Sequence, residues 1–146
     1  MMIRRMMMLL LLVTSIFLAG CAADNGNGDE GIGREISAAG GSYWDISVEE
    51  LQEMLANKDF TMVNVHIPFE GDLPDTDISI PYNQIEQYLD QLPKEKDEKI
   101  VLYCRSDRMS GIAAEELVGL GYTNIYNLDG GFNAWVRAGL PMAGEQ

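Results

Sequence analysis

Ile100-Val101-Leu102-Tyr103 is a near-continuous apolar run of strand length, with no polar position to turn toward water. A strand made of such residues is buried on both faces, which is the habit of parallel sheets covered by helices above and below. The rest of the chain alternates short apolar runs with segments of helical spacing. That alternation predicts an α/β fold with right-handed crossovers, a mostly parallel central sheet and helices on both faces.

The helical segments announce themselves by caps and periodicity. Ser47 with Glu50 three residues later makes a capping box ahead of Val48, Leu51, Met54 and Leu55, so a first helix is expected there. Phe60 to Val65 reads as a buried strand ending at His66-Ile67-Pro68. Glu70 to Asp77 reads as an irregular crossing, followed by a possible short strand at Ile78-Ser79-Ile80. Ile85, Tyr88, Leu89 and Leu92 fall at i, i+3, i+4 and i+7, which predicts a second helix between Pro81 and Pro93. A third is expected from Ser110, with Ala113, Leu117 and Leu120 on one face and Gly121 as its left-handed terminator. Asn124 to Leu128 is a further strand, and Gly130 to Ala138 a last helix closed by Gly139 and Pro141.

Ahead of this domain stands a segment of different character. Arg4 and Arg5 precede the apolar run from Met6 to Leu18, which is short for a spanning helix and has the form of a secretory signal. Leu18-Ala19-Gly20-Cys21 resembles a bacterial or archaeal lipobox. That likeness implies cleavage after Gly20 and a lipid on Cys21, an anchor rather than a span. Residues 22–41 are rich in Gly, Asn and acidic groups with little to bury, and read as a flexible tether. The expected organisation is therefore a signal at 1–20, a lipidated tether at 21–42 and one domain at 43–146, held in the cell envelope, on the outer face of the cytoplasmic membrane or in the periplasm.

Charge narrows the partners. The formal net charge is −13, and loss of Arg4 and Arg5 makes it more negative still, so nucleic acid is excluded. Small anions are repelled by such a body unless a local basic site draws them in, and Arg105 and Arg108 are the candidates. With Cys21 lipidated, Cys104 is the one remaining thiol and no disulfide can staple the domain.

Cys104 follows the buried run directly, at the carboxyl end of a strand, where open α/β sheets bind their ligands. The segment Cys104-Arg105-Ser106-Asp107-Arg108-Met109-Ser110 puts a nucleophile, two guanidinium groups and a helix start into one loop. Loop amides and the helix dipole favour negative charge there, and the thiolate is the reactive form of cysteine. The arginines either bind an anionic donor or activate the sulfur, depending on their direction. Asp107 opposes both effects if it faces inward; it is expected to face solvent. The plain alternative is a cysteine acting as a small buried hydrophobe. Gly130-Gly131 lacks the full dinucleotide fingerprint and reads as scaffold, and no cluster has metal-ligand spacing, so neither cofactor nor metal is expected.

Tyr103-Cys104-Arg105-Ser106 with Ser110, then Gly121-Tyr122, Leu128, Gly130-Gly131, Trp135, Gly139 and Pro141, resembles the rhodanese family from about Tyr43 to Pro141. The resemblance implies a rhodanese-like fold and an active Cys104 carrying a persulfide. It also implies a donor-binding loop of Arg105, Ser106, Asp107, Arg108, Met109 and Ser110. The partners so implied are a small sulfur-containing anion such as thiosulfate and a thiol or cyanide acceptor. This chain has Asp107 where the family commonly has Gly, a residue that tolerates a left-handed backbone better than most. Arg108 lies one position early, with Met109 in the later place. Asn64-Val65-His66 replaces an Asp-x-Arg brace, so Asn64 and His66 are candidate supporting residues. His66 is open to three roles: a bond to the loop, proton transfer, or ending the strand. Two other functions compete: a non-catalytic sulfur carrier or protein-binding module at the cell surface, and a cysteine phosphatase or arsenate reductase, which would need Arg where Ser110 stands.

Overall fold

The computed structural model describes residues 31–144. The signal, Cys21 and the first part of the tether lie outside the described residues. Six strands form one sheet in the order β1-β2-β6-β5-β3-β4: β1 (Arg34–Ala38), β2 (Gly41–Ile46), β3 (Thr61–Asn64), β4 (Ile78–Ser79), β5 (Ile100–Tyr103) and β6 (Ile125–Leu128). Among the described residues only the β1–β2 pair is antiparallel; β2–β6, β6–β5, β5–β3 and β3–β4 are all parallel. The helices α1 (Val48–Ala56), α2 (Arg108–Gly119) and α3 (Gly131–Arg137) cover the two faces.

Strand β5 is central, and its side chains alternate between two cores as the pleat requires. Ile100, Leu102 and Cys104 join Val63, Val65 and Ile125 beneath Ala113, Ala114, Leu117 and Val118 of α2. Val101 and Tyr103 join Met62 and Leu128 beneath Leu51 and Met54 of α1 and Phe132 and Trp135 of α3. All four β5 residues are fully buried, and each such side chain contributes about 1.5–3 kcal/mol over an exposed one. Cys104, one step beyond the strand, therefore falls on the α2 side at the sheet's carboxyl edge.

Helix α1 begins as expected: the Ser47 hydroxyl accepts from the Glu50 amide at 3.2 Å and the Glu50 carboxylate accepts from the Ser47 amide at 2.7 Å. The other Glu50 oxygen takes the Gly33 amide at 2.9 Å, which ties down residues ahead of the expected domain start. Here the expected tether is corrected. It does not run on to residue 42, because residues 34–46 form a hairpin whose register pairs Arg34 with Asp45 and Ala38 with Gly41. Gly40, at φ +95°, supplies the left-handed position of its two-residue turn. Ile36 packs on the α2-side core, enough apolar contact to hold an edge strand whose other residues are polar or small.

The second expected helix is also corrected. Tyr82–Gln91 forms tight 3-10 turns interrupted at Gln84 and Tyr88, whose φ angles are −135° and −118°. Of the four apolar residues that suggested an α-helix, Ile85 and Leu92 are buried, while Tyr88 and Leu89 pack only partly against the α2-side core. Helix α2 starts at Arg108, two residues earlier than expected, and Gly121 is left-handed beyond its end at φ +91°.

Candidate active site

Cys104 is 1 % exposed and lies where β5 gives way to the loop leading into α2. The Ser110 hydroxyl, in the first turn of α2, stands 3.4 Å from its sulfur and 3.0 Å from the Asp107 carbonyl. One hydroxyl hydrogen cannot serve both acceptors fully, so the thiol hydrogen is free to point back at the Ser110 oxygen.

The loop's carbonyls and amides are treated differently. The Phe132 amide donates to the Cys104 carbonyl at 2.9 Å and the Asn133 amide to the Arg105 carbonyl at 3.0 Å, so the start of α3 clamps the loop from behind. No acceptor among the described residues takes the amides of residues 105–110; the first amide of this stretch to be bonded is that of Gly111, to the Asp107 carbonyl. Gly131 makes the clamp possible. It sits at φ +56°, and a Cβ there would fall 2.2 Å from the Cys104 carbonyl oxygen and 2.7 Å from the Arg105 carbonyl carbon. The glycine pair read as scaffold is thus scaffold for the loop itself.

Beside the sulfur opens a cleft of about 180 Å³ lined by His66, Cys104, Arg105, Ser106, Arg108 and Met109. Four of the six residues expected to hold a donor line it. Ser110 is fully buried behind the sulfur instead. Asp107 turns away from the cleft but not to solvent: its carboxylate accepts from Asn127 Nδ2 at 2.7 Å, and the same amide donates to Asp45 at 2.9 Å. Partial burial pushes the Asp107 carboxyl above the ordinary range; the Asn127 bond opposes this, and Asp45 and Asp129 add to it. Its φ of 174° is extended, so no left-handed residue is needed where the family commonly has glycine. Asn127 gave no sign of this role in the sequence, being one polar residue in a strand.

Across the cleft, the end of β3 leads into residues 66–72. Asn64 is 1 % exposed and holds this segment at three points: Nδ2 donates to the Gly71 carbonyl (3.0 Å) and to Asp72 (2.9 Å), and Oδ1 accepts the His66 amide (3.0 Å). The buried Tyr103 hydroxyl accepts the Leu73 amide at 2.9 Å, and desolvation drives its pKa well up. Asn64 thus braces the 66–72 segment rather than the Cys104 loop. His66 is 7 % exposed and packs edge-on against Phe132, ring centroids 5.5 Å apart. Its Nε2 lies 3.2 Å from Glu70, an ion-pair distance without hydrogen-bond geometry, so neither ring nitrogen has a hydrogen-bond partner among the described residues. Glu70 also reaches Arg105 Nη1 at 3.3 Å. Arg105 is therefore paired, whereas Arg108 is exposed and makes no ion pair among the described residues.

Residues 47–138 match the family described as the rhodanese-like domain. A sulfurtransferase of Allochromatium vinosum is 35 % identical over 106 residues, covering 70 % of this chain and 96 % of that protein. The thiosulfate sulfurtransferase GlpE of Vibrio cholerae is 30 % identical over 102 residues, covering 68 % of this chain and 94 % of that one. Among solved structures, a rhodanese-related protein from Thermoplasma volcanium superposes with a TM-score of 0.59 at 31 % identity, over 69 % of this chain and 98 % of its own.

Proposed function

The chain belongs to the rhodanese-like domain family, and from that premise we propose that it is a sulfurtransferase that carries sulfane sulfur as a persulfide on Cys104. The observation that carries this reading is the run of amides at residues 105–110, with no acceptor among the described residues, beside a thiol at the foot of a cleft. The Cys104 thiolate attacks the outer sulfur of a donor such as thiosulfate; a new S–S bond forms, the old one breaks, and sulfite leaves with the electron pair. A thiol or cyanide then attacks the outer sulfur of the persulfide and the Cys104 thiolate departs, a ping-pong cycle. Unused amides at the start of α2, together with its dipole, are suited to hold the charge of the outer sulfur. Arg108 supplies the free positive charge for an anionic donor. Thiosulfate and cyanide supplied together should yield thiocyanate with the native chain and none with Cys104→Ser; equal rates from the two would overturn the assignment.

The near-complete burial of Cys104 favours one second reading, a carrier whose sulfur is passed only to a protein partner that opens the cleft. Loading of Cys104 without turnover of any small acceptor would select it. A phosphatase is disfavoured, since the position that would need a guanidinium holds the buried Ser110, bonded to the sulfur.

We further propose, from the Leu18-Ala19-Gly20-Cys21 sequence, that the domain works in the cell envelope, tethered by lipid on Cys21. Cys21→Ser should move the chain from the membrane fraction to the soluble one; unchanged membrane recovery would refute the anchor.

A further inference from the structure

The charge at the mouth of the cleft differs from what two arginines in its loop suggest. Glu70 lies 3.3 Å from Arg105 and 3.2 Å from His66 Nε2, so one carboxylate is held against two of the residues lining the cleft. Its position is imposed, because Asn64 pins both ends of the segment that carries it, at His66 and at Gly71 and Asp72. Arg105 is thereby paired with a carboxylate, which weakens its pull on an incoming anion, and Arg108 is the lining arginine with no ion pair among the described residues. Next to Glu70, Phe69 is 62 % exposed, an apolar ring on the same segment, and Met109 lines the cleft. A dianion entering here meets one free positive charge and one nearby negative charge. An organic donor with a single negative charge meets less repulsion and finds the apolar Met109 side chain in the cleft.

We infer that Glu70 is a specificity-determining residue that weights the site against dianionic sulfur donors and toward organic donors carrying one negative charge. The inference rests on the sulfur-transfer reading of Cys104. Thiosulfate and benzenethiosulfonate test it, because both give the same persulfide by the same displacement, releasing sulfite and benzenesulfinate respectively, and differ in charge. Coulomb energy is proportional to ligand charge, so the effect on the dianion should be the square of that on the monoanion. Glu70→Gln should lower the KM for thiosulfate by roughly ninefold and that for benzenethiosulfonate by about threefold, the gap narrowing as salt is raised. Glu70→Asp should restore the native ratio. Equal changes for the two donors, or none, would overturn the inference.

A binding titration separates this outcome from failure of the sulfur-transfer reading. Calorimetry with thiosulfate on Cys104→Ser, alone and combined with Glu70→Gln, reads the charge effect without chemistry. Tighter thiosulfate binding in the double variant supports the role of Glu70 even if the native chain transfers no sulfur. Unchanged binding overturns it even if sulfur transfer is brisk.

Discussion

The two walls of the cleft are built by opposite means. The Cys104 loop is fixed through its main chain, with two carbonyls bonded to the start of α3 and Gly131 pressed against them. The facing segment, residues 66–72, is fixed through side chains, by Asn64 and by the network around Asp72. The first arrangement leaves the loop's amides without acceptors among the described residues while its carbonyls are committed, and it tolerates no Cβ behind it. The second places particular side chains, His66 and Glu70, and degrades by degrees when a bond is lost. The wall that carries Cys104 is thus held by its backbone, and the wall that carries Glu70 is adjustable by substitution.

Gly131→Ala would strain this contrast most. A Cβ at 2.2 Å from the Cys104 carbonyl oxygen cannot be accommodated without moving one backbone or the other, and φ +56° is unfavourable for alanine. We expect a loss of about 3 kcal/mol or more in chemical denaturation, with sulfur loading of Cys104 abolished in the fraction that folds. Near-native loading would show that the clamp does not shape the site.

Asn64→Ala should have the next largest effect. Three hydrogen bonds go, and with them buried groups lose partners, for a cost of about 2 kcal/mol in urea unfolding. Sulfur loading should persist while the donor preference set by Glu70 blurs. If loading were lost as completely as in Gly131→Ala, the division of labour between the walls would be wrong.

How much of this could be read in advance follows the range of the interactions. The capping box at Ser47 and Glu50 and the buried run at β5 are local signals, and each holds in the structure. The first strand of the hairpin at residues 34–46 was hidden because its composition is that of a tether; the segment is held by Glu50, seventeen residues from Gly33, and by the packing of Ile36 and Ala38 on the α2-side core. The segment 82–91 has helical spacing, yet the same spacing is met by short 3-10 turns that bury Ile85 and Leu92. Asp107 was expected in solvent; Asn127, twenty residues on in the sequence, brings it in. Glu70 lies thirty-five residues from Arg105, and only the fold makes them a pair. Gly131 was visible as a glycine, but its reason is the Cys104 carbonyl, in the loop that follows β5.

A smaller effect tests the back of the Cys104 loop. Burial raises the Asp107 carboxyl pKa, so the folded chain holds that proton more tightly than the unfolded chain does. Stability should therefore fall as pH rises from the ordinary aspartate value of 3.8 through the raised one, and the cost persists at neutral pH. Asp107→Asn removes the charge while an amide oxygen can still accept from Asn127. It should stabilise the chain at neutral pH by less than about 1 kcal/mol, discounted for partial exposure, and have no such effect below the aspartate range. Equal effects at both pH values would mean that charge is not the cause.

The central claim is that one sulfur, on Cys104, accepts and holds another. Intact mass of the native chain after brief exposure to thiosulfate or benzenethiosulfonate tests it most directly, with Cys104→Ser alongside. The account predicts a gain of a single sulfur atom, removed by cyanide and missing from the serine variant. No gain from either donor, or the same gain in both chains, would contradict it.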